Sequence, residues 1–137
     1  MNTVFIADDE LIIRQGIKCI IDWEQLGFEI IGEASNGVDA LNFILNKQPD
    51  LVLMDIRMPK MLGLDVVEAA RNKGFNGKVI ILSGYTDFKY AQAAIKNGVD
   101  YYLTKPIDED ELYETVDSIR SQISKEAEDK ETLSTYR

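Results

Sequence analysis

Leu51-Val52-Leu53-Met54-Asp55 decides the fold. Four apolar residues in succession enter through Pro49-Asp50 and stop at an acid, with no polar alternation. Such a run suits a strand covered on both faces in a parallel sheet. The same form recurs on either side. Thr3–Ala7 (TVFIA) stops at Asp8-Asp9, and Phe28–Ala34 (FEIIGEA) lies between Gly27 and the turn signal Asn36-Gly37. Lys78–Leu82 (KVIIL) follows Asn76-Gly77 and stops at Ser83-Gly84, and Tyr101–Leu103 follows Gly98 and stops before Lys105-Pro106.

Segments of helical period separate these runs. Glu10–Ile21 carries Ile13, Ile17 and Ile20, flanked by Ile12 and Gly16; Gly37–Leu45 carries Val38, Leu41 and Leu45. Leu64–Arg71 carries Val66, Val67 and Ala70, and Asp87–Lys96 carries Phe88, Ala91, Ala94 and Ile95. Asp108–Ile123 carries Leu112, Val116, Ile119 and Ile123. Strand–helix alternation at this spacing implies right-handed crossovers and a doubly wound, five-stranded parallel α/β sheet. After Ser124 the stripe breaks at Glu126 and Lys130, so residues 125–137 read as a helix end passing into a linker.

Composition bounds the chemistry. The chain has 137 residues, 45% hydrophobic and 28% charged, which fits one globular domain and excludes a disordered or collagen-like chain. No run of about 18 apolar residues offers a membrane span. The N-terminus MNTVFIADDE lacks a basic segment and so does not read as a signal peptide. A single Cys allows no internal disulfide and fits a reducing cytoplasm. Without His there is no His-based triad and no imidazole-liganded zinc. Fifteen basic against 24 acidic residues give a net charge of -9, so phosphate backbones are repelled and this segment is not expected to contact nucleic acid itself. Carboxylates, lysines and hydroxyls remain, which favours oxygen-liganded divalent metal chemistry.

The positions of those groups are the strongest signal. Asp8 and Asp9 end the first run, Asp55 the third and Ser83 the fourth, and Lys105 follows the fifth. In open α/β sheets ligands bind outside the carboxyl ends of the strands, so these residues converge. Clustered carboxylates repel one another, and Mg²⁺, which takes oxygen ligands, relieves this. A cation, a lysine and an available carboxylate make a phosphoryl-transfer site, with the carboxylate as nucleophile. Singly, each residue has a plainer reading: Asp8 or Asp9 as cap of the helix opening at Glu10, Asp55 as a turn residue, Ser83-Gly84 as a loop pair. Chance would have to bring all of them to one sheet edge.

Taken together, Ala7-Asp8-Asp9-Glu10, Leu51 to Pro59, Gly63, Ile81-Leu82-Ser83-Gly84 and Gly98 to Pro106 resemble the receiver domain of two-component response regulators. The resemblance spans Val4 to about Ser124, making residues 1–124 the receiver. It implies a flavodoxin-like (βα)5 fold with strand order 2-1-3-4-5. It implies that Asp55 is the phosphoacceptor, and that Asp9, Asp55 and the Arg57 backbone carbonyl ligate Mg²⁺ with Asp8 assisting. Ser83 and Lys105 then hold the phosphoryl group, and Tyr102 is the switch aromatic paired with Ser83. The implied donor is a sensor histidine kinase, and the protein is a cytoplasmic switch rather than an enzyme, with no membrane association.

Ile21-Asp22-Trp23-Glu24-Gln25-Leu26-Gly27-Phe28 and Ser83 to Ala91 further resemble the branch whose receiver precedes an AraC-type helix-turn-helix domain. That implies DNA contact only through a C-terminal domain absent from this chain. Phosphorylation is expected to promote homodimerisation through the face built from Asp87–Lys96, Tyr101–Leu103 and Asp108–Ile123. Arg57 and Tyr85 are bulky and neither is a carboxylate or amide able to orient water, so slow self-dephosphorylation is expected. Cys19, Met54, Met58 and Met61 read as packing, and Trp23 as an anchor at the end of the first helix.

Four other functions compete. A stand-alone receiver acting by protein–protein interaction needs no output domain. A haloacid dehalogenase-like phosphatase has its nucleophile on the first strand and a second Asp two residues on, where this chain has Arg57. A flavodoxin-like FMN carrier needs a phosphate-cradling first loop, which Asp8-Asp9-Glu10 would repel. A degenerate, phosphate-independent scaffold has no need of the complete acid set.

Overall fold

A computed structural model describes residues 1–84 and 98–135. Tyr85 and the helical segment expected at Asp87–Lys96 lie outside the described residues. The elements follow in the order β1 (Asn2–Ala7), α1 (Leu11–Ile20), β2 (Phe28–Ala34), α2 (Gly37–Lys47), β3 (Leu51–Asp55), α3 (Gly63–Asn72), β4 (Lys78–Ser83), β5 (Tyr101–Thr104) and α4 (Glu109–Thr135). The five strands form one sheet in the order β2-β1-β3-β4-β5, and every neighbouring pair is parallel. This is the doubly wound sheet expected from the alternation, in the flavodoxin-like strand order that the resemblance implies.

Strand alternation divides the core into two layers. Val4, Ile6, Leu51, Leu53, Ile80, Leu82 and Leu103 face α1 and α4, where Ile17, Leu112, Val116 and Ile119 are buried. Phe5, Ala7, Val52, Met54, Val79 and Ile81 face α2 and α3, where Ala40, Ile44, Val66, Val67 and Ala70 are buried. Trp23 closes the end of the first layer: its indole N–H donates to the Ile17 carbonyl at 2.9 Å and its ring meets the edge of Phe28.

Three helical details differ from the sequence reading. On α2 the inner stripe is Ala40 and Ile44 with Leu41 and Phe43, while Val38 is 41% exposed. The Phe43 ring stacks on Phe5 at 4.3 Å, and that contact sets the helix's rotation. On α1, Ile17 faces the sheet, so Ile12, Gly16 and Cys19 turn outward and Cys19 is exposed rather than packed. Helix α4 runs on to Thr135, past the point where its apolar stripe ends. Its extension is tied to the sheet by Lys78, whose ammonium meets Glu126 at 2.8 Å. Met54 and Met58 are buried and Met61 packs against them, as core residues should.

Candidate phosphoryl-transfer site

The register brings the polar strand ends together. The Asp8 N–H donates to the Ala34 carbonyl at 3.1 Å, carrying the β1–β2 ladder one residue past β1. Asp55 is the last residue of β3 and pairs with Leu82, and Ser83, the last of β4, pairs with Thr104. The Lys105 N–H then donates to the Ser83 carbonyl at 2.7 Å. Asp8, Asp55 and Lys105 each lie two residues beyond Ile6, Leu53 and Leu103, which share one sheet face. Alternation therefore sends the three toward the same side. Ser83 lies two beyond Ile81, on the opposite face, where half-buried Tyr102 packs. The Lys105–Pro106 peptide is cis.

Gly63 fixes the backbone behind Asp55. Its N–H donates to the Ile56 carbonyl at 2.8 Å, and a Cβ there would stand 2.1 Å from the Asp55 carbonyl oxygen. No residue with a side chain can start α3 this close to β3 without displacing one of them.

Asp8, Asp9 and Asp55 each present a carboxylate oxygen within 4.8 Å of the others. Asp8 and Asp55 are buried and Asp9 is exposed, so the cluster opens to solvent on the Asp9 side. Asp8 Oδ1 accepts from the Glu10 N–H at 2.9 Å. Glu10, not Asp8 or Asp9, stands at the N-cap of α1, and that cap has no side-chain hydrogen bond, so the capping reading of the two acids does not hold. Asp8 Oδ2 has Lys105 Nζ at 2.8 Å, an ion contact without hydrogen-bond alignment, and is otherwise an orphaned buried oxygen. Lys105 Nζ is 3.4 Å from Asp55 Oδ1.

Lys105 is in contact with two of the three acids, Asp8 and Asp55. Burial, and then the Asp8 charge, push the Asp55 carboxyl up to about 7 against the pull of Lys105. For Lys105, burial works to lower its pKa, but the carboxylates of Asp8 and Asp55 outweigh this and raise it. An orphaned buried oxygen beside two further hard oxygen donors fits a small divalent cation. Arg57 follows this cluster by two residues, with an exposed side chain.

The sequence matches the response regulator receiver domain over residues 4–117, and the chain belongs to that family. It is 38% identical over 126 residues to the transcriptional regulatory protein YesN of Bacillus subtilis, covering 92% of this chain and 34% of that protein. It is 46% identical over 112 residues to the transcriptional regulatory protein HptR of Staphylococcus aureus, covering 82% of this chain and 44% of that one. Among solved structures, the receiver domain of AraT, a response regulator from Geobacillus stearothermophilus, superposes with a TM-score of 0.87 at 42% identity, over 91% of this chain and 97% of that one. A two-component transcriptional regulator AraC from Clostridium phytofermentans superposes at 0.82 with 33% identity, over 91% and 97%.

This is therefore a receiver domain of a two-component response regulator, and its relatives are transcriptional regulators. The family is one of receivers rather than typical enzymes, which disfavours the phosphatase and flavin readings. The chain spans 34% to 44% of the length of these curated relatives. No helix among the described residues is long and apolar enough to cross a membrane.

Proposed function

We propose that Asp55 accepts a phosphoryl group and that this chain is the phosphorylation-controlled input module of a cytoplasmic transcriptional regulator. The observation that carries the proposal is the convergence of Asp8, Asp9, Asp55 and Lys105 at one sheet edge. Asp9, Asp55 and the Arg57 carbonyl would ligate Mg²⁺, with Asp8 assisting. When bound, the cation neutralises the acidic cluster and polarises the phosphoryl oxygens. The Asp55 carboxylate attacks phosphorus in line, and the donor leaves from the opposite side. Lys105 has an ammonium already poised beside Asp55 and pairs with a phosphoryl oxygen, and the Ser83 hydroxyl donates to another. Ser83 and Tyr102 lie on the same sheet face, so a Ser83 shift toward phosphate opens space that Tyr102 fills.

The donor is a sensor histidine kinase. The output is an AraC-type DNA-binding domain, in keeping with the AraT and AraC neighbours. Residues 125–137 form the end of α4 and the linker to it, and phosphorylation promotes homodimerisation. Arg57, two residues after Asp55, and Tyr85, two after Ser83, offer no carboxylate or amide to orient a water, and self-dephosphorylation is slow; replacing Arg57 by Asn and Tyr85 by Ala then shortens the lifetime of the phosphorylated form. The principal test is intact mass after incubation with acetyl phosphate. Wild type gains one phosphoryl group with Mg²⁺ and none with chelator, and Asp55→Asn gains none. Equal uptake by Asp55→Asn contradicts the assignment.

A further inference from the structure

We infer that Arg14, held in place by Glu33, is a positioning residue that sets the directions of Asp8 and Asp9. The inference rests on the proposed cation-binding role of those two acids. Arg14 is one turn into α1, and its side chain is only 12% exposed. Its Nη1 donates to the Asp8 carbonyl at 2.6 Å, and its Nε donates to Glu33 Oε1 at 2.8 Å. Lys18, one turn further along α1, holds Glu33 Oε2 at 2.7 Å. The guanidinium thus bridges the end of β1 to β2 through two of its donors, and Glu33 has a cation on each oxygen.

The Asp8 carbonyl belongs to the peptide that joins Asp8 to Asp9. Rotating that peptide would redirect both side chains at once, one of which must point inward and the other outward. The peptide before it is fixed by the Asp8 N–H bond to Ala34, the residue after Glu33. These two restraints on the Asp8 main chain therefore come from adjacent residues of one strand: Ala34 holds the N–H directly, and Glu33 holds the C=O through Arg14. Beyond Asp8 the chain is restrained by the bond from the Glu10 N–H to Asp8 Oδ1. That bond already spans the Asp8–Asp9 peptide, and Arg14 adds a direct hold on its carbonyl. A planar donor fork spans the gap from Glu33 to that carbonyl, whereas a lysine ammonium reaches Glu33 or the carbonyl but does not hold both in a fixed geometry. Groups that orient metal ligands from behind commonly affect affinity on the order of tenfold or more when removed.

The experiment measures Mg²⁺ affinity of the full chain by calorimetry for wild type, Arg14→Ala, Arg14→Lys and Glu33→Gln, together with amide hydrogen exchange of the metal-free proteins. Arg14→Ala is expected to weaken Mg²⁺ binding on the order of tenfold and to speed exchange at the Glu10 amide. Arg14→Lys and Glu33→Gln shift both readouts the same way but less. Folded Arg14→Lys and Glu33→Gln proteins with wild-type affinity and exchange overturn the inference. Wild type that takes up a phosphoryl group in those conditions confines that failure to Arg14. Wild type that binds no Mg²⁺ overturns the proposed site and this inference with it.

Discussion

Lys105 Nζ stands 2.8 Å from Asp8 Oδ2, in direct ionic contact with a carboxylate that is fully buried. Strands β4 and β3 lie between β5 and β1, so this contact spans the ends of both, and it leaves Asp55 at the longer distance of 3.4 Å. In the metal-free chain Lys105 is thus the counter-ion of Asp8 first and of Asp55 second. In the proposed reaction, phosphoryl binding has to draw the ammonium away from Asp8, and a cation in the acidic cluster would offset the loss.

Replacing Lys105 by Met strands the buried Asp8 charge. Breaking a buried pair costs roughly 3 kcal/mol or more, and less here because Lys105 keeps some contact with water. Urea unfolding of metal-free Lys105→Met should show lower stability at pH 8, with the gap to wild type narrowing at pH 5, where Asp55 holds its proton and the cluster carries one negative charge fewer. A gap that is independent of pH would mean that the lost ammonium is not the cause.

Asp9→Ala should act in the opposite direction. Asp9 is exposed and adds its negative charge to those of Asp8 and Asp55. Its removal is expected to leave the metal-free melting temperature unchanged or raised, and to abolish the stabilisation that Mg²⁺ gives wild type. A lower metal-free melting temperature in Asp9→Ala would overturn this electrostatic reading.

Asp55 gives the metal-free fold a pH dependence of definite sign. Its carboxyl titrates near 7 in the fold and at the ordinary lower value in the unfolded chain. Between those two values the folded state holds the extra proton, so stability falls as pH rises from about 4 to about 7. Denaturation midpoints of wild type should decline across that range without metal. Asp55→Asn should be more stable at neutral pH and flatter, and Mg²⁺ should remove most of the difference. A wild-type profile that rises across the window contradicts the charge assignment.

Gly63→Ala tests the backbone behind the nucleophile. The added Cβ would meet the Asp55 carbonyl at 2.1 Å, so α3 or the end of β3 has to move. Overpacking of this kind costs roughly 1–3 kcal/mol. The midpoint in urea should drop with an unchanged slope, and phosphoryl uptake from acetyl phosphate should slow. Uptake at the wild-type rate would separate the close contact from the placement of Asp55.

The five strands were legible because burial on both faces leaves short apolar runs with abrupt polar stops, as at Leu51–Met54. The same signal ended the runs of β3, β4 and β5 one residue early. Asp55, Ser83 and Thr104 continue the ladder although they are polar, and hydropathy cannot register a backbone hydrogen bond. The acids and Lys105 were legible for a related reason: a polar group directly after such a run has only the sheet edge to occupy. The rotation of α2 was not, because it depends on Phe43 finding Phe5 across the layer. Arg14 was equally silent, since Glu33 is 19 positions away and its other acceptor is a main-chain carbonyl. Nothing in a residue pattern marks which carbonyl an arginine will meet.

Reduction of the phosphorylated protein with borohydride, followed by sequencing of its peptides, tests the central claim most directly. An aspartyl phosphate is converted to homoserine at the modified position. The site described above requires homoserine at position 55 and nowhere else, only in samples prepared with Mg²⁺. Homoserine at position 8 or 9, or a phosphorylated protein that yields none, would contradict the assignment of Asp55 as the acceptor.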